Sequence, residues 1–363
     1  MFSLFNDFFN NTNGFFHLFS YLTTRCGFAL VFAFLFMIFT MPKYIAFSHK
    51  WQKKGQPIRG NYLPEHIEKT GTPTMGGLMI IFATLLTTII SADLTNYYIL
   101  ILMTALLSFS IIGFVDDYKK VHKMDVGGIH AKTKMVFQIA LSAVFICIAN
   151  YCVNSSFYSS TLTFPFFRKL VLNLGIVYTI FRIVVIVGAS NAVNLTDGMD
   201  GLAIVPIIFT SAVFLAFGYV IGNISMAKYL FFDYQSGAGE ICVFLSALIG
   251  ASIGFLWFNV KPAKIFMGDV GSLSIGGILG LVAVLLKCEI VLALAGGLFV
   301  METLSVILQV NYFKLTKGKR IFKMAPIHHH FQKSGWSETQ VVVRFWIIAF
   351  FCALIALSSL KVR

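Results

Sequence analysis

The stretch YYILILMTALLSFSIIGFVDDYKK, residues 97–120, shows the pattern on which the fold depends. The run up to Val115 is uncharged, and it ends in Asp116 and Asp117 with lysines directly after them. If the run is a helix, both carboxylates lie at its C-terminus, where the helix dipole disfavours an exposed negative charge by roughly 0.3–1 kcal/mol. A cation should therefore face them, either the nearby lysines of a solvated helix end or a bound metal ion.

The composition of the whole chain is that of an integral membrane protein. Of its 363 residues, 58% are hydrophobic and only 12% are charged, and the mean hydropathy is +0.82. These values exclude an ordinary soluble domain. The net charge of +13 reflects membrane topology in such a chain, so no nucleic-acid partner is predicted. The six cysteines lie scattered, and their spacing indicates neither a disulfide framework nor a zinc site.

Apolar runs that are long enough, or nearly long enough, to cross a bilayer recur along the chain. Lipid forces such runs to be helical, because an unpaired backbone amide there costs several kcal/mol. We therefore predict an all-α polytopic membrane protein, with a single transmembrane helical domain over residues 1–363 and an uncleaved first span. The ten predicted spans are Leu18–Met41, Gly76–Ile90, Tyr97–Val115, Met135–Cys152, Leu170–Gly188, Leu202–Ile221, Ile241–Val260, Ser272–Leu286, Ile290–Val310 and Val341–Leu360.

The distribution of lysine and arginine predicts the orientation of these spans. Ten spans put both termini on one side, and most of the 28 basic residues fall in the five loops on the other side. By the positive-inside rule, the five loops are cytoplasmic and both termini are periplasmic.

The polar motifs of the chain all fall in these five loops. A bundle that closes would therefore gather them into one cleft at the boundary between cytosol and lipid. In loop order they are Lys69 with TPTMGG (72–77), Asp116 with Asp117, Asn194 with Asp197 and Asp200, Asp269, and His328–His330.

Several of these motifs also have a purely structural interpretation. Asp197, Asp200 and Asp269 precede spans, where a carboxylate can simply cap a helix. The stretch 72–77 can be a turn with small-residue helix packing. Against mere capping, Asn194, Asp197 and Asp200 have i, i+3, i+6 spacing, which predicts that they lie along one side of a helix.

The histidine triplet and two charged residues inside spans leave alternatives open. The triplet can be a solvated basic loop, and it does not favour zinc, because three consecutive histidines cannot all face one way on a helix. Glu302 and Arg182 are functional candidates because charge inside a membrane is costly. An ion pair between helices or snorkelling would explain them equally well, so both stay unassigned.

Carboxylates from several loops, with no thiolate among them, suit Mg²⁺ better than a soft metal. Mg²⁺ takes one or two carboxylates and shares its other positions with phosphates and water. Nearby lysines would neutralise further phosphate charge. A lipid-facing cleft with these groups predicts phosphoryl chemistry between a soluble and a membrane-bound substrate.

The conjunction of five motifs is more specific than any one of them. They are Gly71–Gly77, Phe114–Asp117, Asn194–Gly201, Phe266–Asp269 and Pro326–His330. Together they closely resemble the phospho-N-acetylmuramoyl-pentapeptide transferase family, within the polyprenyl-phosphate sugar-1-phosphate transferase superfamily, over essentially the whole chain. The histidine triplet, with Phe331 after it, indicates the muramoyl branch. Met199, where leucine is usual, and Gln332, where an acid is common, are small departures.

The resemblance implies a reaction and a role for several residues. It implies transfer of phospho-MurNAc-pentapeptide from UDP-MurNAc-pentapeptide to undecaprenyl phosphate, giving lipid I and UMP. Asp269 would be the main Mg²⁺ ligand, Asp116 and Asp117 the pair that engages or activates the lipid phosphate, and His328 a histidine beside the metal. We favour direct attack by the lipid phosphate over an aspartyl intermediate. The implied substrate-side residues are Lys69, Thr74, Lys132, Asn194, Asp197, Gly198, Met199, Asp200, Asn259, Phe266, Gln309 and His329.

The resemblance also implies a multi-pass protein of the bacterial inner membrane, with the active site facing the cytoplasm, and a homodimer. Two rival functions stay open. One is a related enzyme that acts on another UDP-sugar, against which the histidine triplet argues. The other is a proton- or cation-coupled transporter, which would need acids near the bilayer midplane, whereas all but Glu302 lie at loop edges.

Overall fold

Helices make up nearly all of the secondary structure in the computed structural model, which describes residues 15–52, 71–123, 127–152 and 160–361. Within these residues, nine helices are long and apolar enough to cross a membrane. A shorter apolar helix, α2, completes the ten predicted spans and confirms the all-α polytopic fold. The helices are α1 Leu22–Trp51, α2 Gly77–Ser91, α3 Tyr97–Lys123, α4 Ala131–Cys152, α5 Val177–Thr196, α6 Ile204–Ile221, α7 Ile224–Leu230, α8 Ile241–Asn259, α9 Gly268–Leu285, α10 Glu289–Ala295, α11 Gly297–Leu315, α12 Ile327–Lys333 and α13 Glu338–Ser358.

Helix α9 lies at the centre of the bundle. It packs mainly against α3 and α5, and every residue from Val270 to Leu285 is buried. Glycine and serine recur along it, and such small residues let helix backbones approach each other closely in a membrane. The central position of α9 brings its first turn against the ends of the neighbouring helices.

The fifth predicted span, Leu170–Gly188, is wrong at its start. Its first residues belong to a short antiparallel hairpin of β1 (Thr161–Phe164) and β2 (Phe167–Asn173), in which Leu172 lies opposite Leu162. Helix α5 begins only after this hairpin. Hydropathy alone misplaced the boundary, because a short apolar strand and a helix segment have the same composition.

Two further boundaries differ from the prediction. Helix α3 continues beyond Val115 to Lys123, so Asp116 and Asp117 lie within a helix and not in a loop. The ninth span is divided at Gly296 into α10 and α11. Glycine is a poor helix former in a helix interior, which explains why the break falls there.

One end of the bundle collects the polar motifs. The C-terminal parts of α3 and α5 meet the first turn of α9 there, since Asp117 and Asn194 both bond to residues of that turn. The side of the membrane that this end faces stays a prediction.

Candidate active site

Three carboxylates form the centre of the candidate active site. Asp116 and Asp117 come from α3 and Asp269 from the first turn of α9, and one oxygen of each lies within 4.8 Å of the others. The side chains of Asp116 and Asp117 are fully buried, and that of Asp269 is 15% exposed. Oδ2 of Asp117 accepts a hydrogen bond from the backbone N–H of Val270 at 3.0 Å. Asp117 therefore also stabilises the positive end of α9.

Two lysines face these carboxylates. Nζ of Lys120 lies 2.6 Å from Asp116 and 3.1 Å from Asp269, and Nζ of Lys134 lies 3.2 Å and 2.9 Å from the same two residues. Lys120 follows Asp116 by four residues, a spacing that places two side chains together on a helix. The burial of the aspartates excludes the solvated helix end that the sequence left open.

The resemblance implied Lys132 as a phosphate contact, with Lys134 close by as the alternative. In the structure Lys134 contacts the cluster, and Lys132 is exposed. Residues two apart on a helix point in different directions, so only one of the two can face the carboxylates. The sequence alone could not show which face of α4 turns towards the carboxylates, so it could not decide between Lys132 and Lys134.

The cluster fits a divalent metal ion. Oδ1 of Asp117 is buried and has no hydrogen-bond partner among the described residues, and Nζ of Lys120 is 3.9 Å from it. In the part of the chain that the structure describes, three carboxylates face two ammonium groups at this site. All the available ligand atoms are carboxylate oxygens, which hard cations prefer. Asp116, Asp117 and Asp269 can therefore hold a metal ion.

Gly268 allows α9 to begin against these carboxylates. Its φ is +76°, and a Cβ at this position would lie 2.5 Å from Oδ2 of Asp117 and 2.9 Å from Oγ1 of Thr74. The structure thus brings Thr74, a predicted substrate-side residue, to the cluster. The hydroxyl of Thr74 is buried and bonds to none of the residues that the structure describes, and its backbone N–H donates to Gln52 at 2.9 Å.

Asn194 connects α5 to the carboxylate cluster. Its Nδ2 donates to Oδ1 of Asp269 and to Oγ of Ser272, both at 2.9 Å. The predicted line of Asn194, Asp197 and Asp200 along one side of a helix is wrong, because α5 ends at Thr196. Asp197 is its C-cap residue, and Asp200 follows in the loop before α6.

Asp197 and Asp200 have different surroundings. Burial, together with the charges of Asp269, Asp117 and Asp200, raises the pKa of Asp197 to about 8. A cation bound at the cluster would lower that pKa, because it favours the ionised carboxylate. Asp200 instead accepts a hydrogen bond from the backbone N–H of Ala263 at 3.1 Å and so holds the loop before α9.

Helix α12 carries two histidines of the triplet into the protein. His328 and His329 are buried, and their ring centroids are 4.2 Å apart. Nδ1 of His328 lies 3.0 Å from Oε2 of Glu302 on α11. Gly198 lies on the other side, since a Cβ there would be 2.5 Å from Nε2 of His328. Glu302, which the sequence left unassigned, is therefore the partner of His328, and its position inside a span was the available signal.

Asn259 and Phe266, two predicted substrate-side residues, make contacts that shape the loops around the cluster. Asn259 accepts a hydrogen bond from the N–H of Gly201 at 3.0 Å and donates to the carbonyl of Ile265 at 2.8 Å. Phe266 is half-buried, and its backbone N–H donates to the carbonyl of Pro73 at 2.9 Å. These bonds tie the loops before α2, α6 and α9 together.

Three further predicted residues that the structure describes contact other groups than the three carboxylates. Met199 is buried in a small apolar cluster that includes Val341. Gln309 accepts a hydrogen bond from the N–H of Phe322 at 2.9 Å, and His329 lies 3.0 Å from Gln332. Lys69 lies outside the described residues.

An apolar groove of about 240 Å³ runs along α5 and α11. Ala192 and Val193 line it near Asn194, and Glu289 and Leu292 line it further away. Gly188 leaves open space in its wall, since a Cβ there would meet nothing within 4 Å. The groove therefore joins an apolar surface to the polar end of the bundle.

Residues 98–287 match the family described as glycosyl transferase family 4, and this segment contains all three carboxylates. The multi-span helical bundle, the carboxylate cluster and the family match together define a membrane-embedded transferase.

The chain is similar to the phospho-N-acetylmuramoyl-pentapeptide-transferases of several Rickettsia species over 347 residues, 96% of each chain. It is 53% identical to that of Rickettsia rickettsii (strain Sheila Smith), 52% to that of Rickettsia felis and 51% to that of Rickettsia bellii. The chain belongs to the phospho-N-acetylmuramoyl-pentapeptide-transferase family, which confirms the resemblance drawn from its motifs.

Proposed function

We propose that the chain transfers phospho-MurNAc-pentapeptide from UDP-MurNAc-pentapeptide to undecaprenyl phosphate, giving lipid I and UMP, the first membrane step of peptidoglycan synthesis. The observation that carries the proposal is the convergence of Asp116, Asp117 and Asp269 with two lysines at one end of a membrane bundle. Phosphoryl transfer depends almost entirely on positioning and on the neutralisation of phosphate charge. This cluster offers both.

We assign Mg²⁺ as the cofactor, with Asp269 as its main ligand and Asp116 and Asp117 beside it. The oxygen-only donor set and the partnerless Oδ1 of Asp117 support this choice. When bound, the ion would neutralise the charge that develops on the pyrophosphate as it breaks. The buried position limits competing water, which strengthens every charge interaction in the site.

Lys120 and Lys134 place two positively charged ammonium groups at the same site. Each ammonium group bridges Asp116 and Asp269. On substrate binding they would exchange carboxylate oxygens for phosphate oxygens and reduce the repulsion between two anionic substrates. An oxygen of the lipid phosphate then attacks the sugar-linked phosphorus as the bond to UMP breaks. That oxygen is already ionised, so direct attack needs no covalent enzyme intermediate.

The apolar groove along α5 and α11 suits the polyprenyl chain of the acceptor. Its lining is mainly apolar, as in ligand sites, and it approaches the cluster at Val193. The loop of Asn194–Gly201, with Phe266, is the proposed site of the nucleotide. The phosphate of the lipid and the diphosphate of the nucleotide would then meet between the groove and this loop, beside Asp269.

We further propose that the polar end of the bundle faces the cytoplasm of a bacterial cell, in its inner membrane. The distribution of lysine and arginine supports this orientation, and the soluble nucleotide substrate requires it. Both termini would then be periplasmic, and all 363 residues would form one domain whose active site is built from the helix ends and the five loops on the cytoplasmic side. A homodimer stays a prediction.

The test is Mg²⁺-dependent release of UMP from UDP-MurNAc-pentapeptide and undecaprenyl phosphate by the purified protein. Asp117→Asn and Asp269→Asn should each lower kcat by about 10³-fold or more, because a metal ion contributes several kcal/mol of charge stabilisation. Asp93→Asn is the matched control, since Asp93 accepts from Thr95 in a loop at the other end of the bundle. Equal turnover by all four proteins would show that the site is assigned wrongly.

A further inference from the structure

A second layer of polar groups, which the proposed reaction does not use, joins three membrane-spanning helices. Nε2 of Gln138 on α4 donates to Oγ of Ser190 on α5 at 3.1 Å. That hydroxyl donates in turn to the carbonyl of Leu273 on α9 at 2.7 Å. Nδ2 of Asn191, also on α5, donates to Oε1 of Gln138 at 2.9 Å. Both polar atoms of the Gln138 side chain are therefore bonded to α5.

This polar layer lies one helical turn from the carboxylate cluster on all three helices. Residues four apart share one face of a helix and are separated by about 6 Å along its axis. The pairs, each a member of the layer with its neighbour at the cluster, are Gln138 with Lys134, Leu273 with Asp269, and Ser190 with Asn194. At the cluster, Lys134 and Asn194 both donate to Asp269. The polar layer thus joins the same three helices a second time, one turn away.

The start of α4 has little else to hold its rotation. Of residues 131–140, all of which the structure describes, Gln138 is fully buried, Lys134 is partly buried and the other eight are exposed. The exposed ones include Val136 at 64% and Phe137 at 56%. Lipid is as apolar as these side chains, so contact with lipid does not favour one rotation of the helix over another. Apolar burial therefore does not determine which face of this part of α4 meets the cluster.

The hydrogen bonds of Gln138 do determine that face, because they are directional. If the amide of Gln138 turned towards lipid, its polar atoms would lose their partners in an apolar medium, which is costly. Successive residues of a helix are about 100° apart. A rotation of α4 by one residue would therefore take Gln138 away from Ser190 and, together with it, Lys134 away from Asp269.

From this geometry we infer that Gln138 is a positioning residue for the transferase reaction: its bonds to Ser190 and Asn191 fix the rotation of α4 that places the ammonium group of Lys134 on Asp269. The inference rests on the proposed function, in which Lys134 exchanges carboxylate oxygens for phosphate oxygens. Gln138 acts through Lys134 and not on the phosphates themselves.

Ordinary helix packing predicts a different behaviour. Polar side chains often join helices in a membrane, and each such hydrogen bond contributes modestly to stability. If Gln138 did only this, its loss would lower stability and leave the turnover of each folded molecule unchanged. If Gln138 positions Lys134, its loss lowers kcat, and it does so only while Lys134 is present.

The test is a double-mutant cycle of Gln138→Met and Lys134→Met in the full-length protein, with kcat of UMP release as the readout. Methionine has about the length of glutamine and removes both hydrogen bonds. Gln138→Met alone should lower kcat roughly tenfold, because even a small misplacement of a group at the reacting phosphates is costly. In the Lys134→Met background, the same substitution should change kcat by less than about twofold, which is the usual error of additivity.

Gln235→Met is the matched control. Gln235 is also a buried glutamine, and its Oε1 accepts a hydrogen bond from the hydroxyl of Tyr98 at 3.1 Å, at the opposite end of α3 from the cluster. This variant should lose a similar amount of thermal stability and keep the wild-type kcat.

Three results would overturn the inference while turnover by the wild type upholds the proposed function. The first is an unchanged kcat in Gln138→Met, and the second is a tenfold loss that persists in the Lys134→Met background. The third is an equal loss of kcat in Gln235→Met. A wild type that releases no UMP would instead overturn the proposed function.

Asn191→Leu covers the case in which Gln138→Met does not fold. It removes the bond to Oε1 of Gln138 from the side of α5, at a residue that is only partly buried. It should lower kcat about threefold, because one of the two bonds to Gln138 remains, and it should have no effect in the Lys134→Met background. An unchanged kcat, or the same loss in both backgrounds, would overturn the inference.

Discussion

Lys134 and Lys132 stand two residues apart on α4, yet only Lys134 contacts Asp116 and Asp269. At the scale of single residues, the site depends on which side chains face the carboxylates. The aspartates themselves could be predicted, because their motifs are distinctive and acids are rare in an apolar chain. The choice of Lys134 over Lys132 could not be predicted, because it depends on helix phase. The contact of Glu302 with His328 could not be predicted either, because the two residues are far apart in the sequence.

Replacing Lys134 should therefore matter more than replacing Lys132. Lys134→Met should lower kcat by about 10²-fold, because a cation at the reacting phosphates is lost. Lys132→Met keeps the helix and removes the same charge from an exposed position, so its effect should be much smaller. Steady-state UMP release measures both, and a larger effect at Lys132 would contradict the structure.

At the scale of elements, the first turn of α9 depends on a glycine. Gly268 adopts a left-handed conformation directly against Asp117 and Thr74. Gly318 has a φ of +119° but no neighbour within 4 Å of a Cβ. The two positions therefore separate the cost of backbone strain from the cost of a contact with the site.

Gly318→Ala should lower the stability by about 1–2 kcal/mol, the usual cost of a left-handed conformation for an L residue. Gly268→Ala should lower it by more, because its Cβ also meets Asp117 and Thr74. Gly268→Ala should in addition abolish most of the Mg²⁺-dependent turnover, because its Cβ displaces the Asp117 carboxylate. Thermal unfolding and UMP release on the same preparations test this. If the two variants lose equal activity, the contact is not important.

The bounds of individual helices and strands are also where the prediction from the sequence failed. Hydropathy placed the spans, because apolar runs can only be helical in lipid. It could not detect the β1–β2 hairpin, whose residues are as apolar as a helix, or the extension of α3 past Val115. The helical line through Asn194 and Asp200 failed for a different reason, since the helix ends at Thr196, before the spacing is complete.

At the scale of the whole molecule, the bundle must bring a long lipid and a soluble nucleotide to one cluster. The polar end and the apolar groove along α5 and α11 provide two separate approaches. Gly188 and Gly27 offer a direct comparison, because each is exposed and has open space around its Cβ position. Gly188 lines the groove, whereas Gly27 lies on α1 outside it.

Gly188→Phe should fill part of the groove and lower kcat/KM for undecaprenyl phosphate by about tenfold, since each excluded CH₂ group costs about 0.8 kcal/mol and two suffice. KM for the nucleotide substrate should not change, and a short-chain polyprenyl phosphate should be affected less, because less of it reaches residue 188. Gly27→Phe adds the same ring to a helix surface elsewhere and should behave as the wild type. A loss of equal size in both variants would point to folding, and a loss that does not depend on chain length would mean that the lipid chain lies outside the groove.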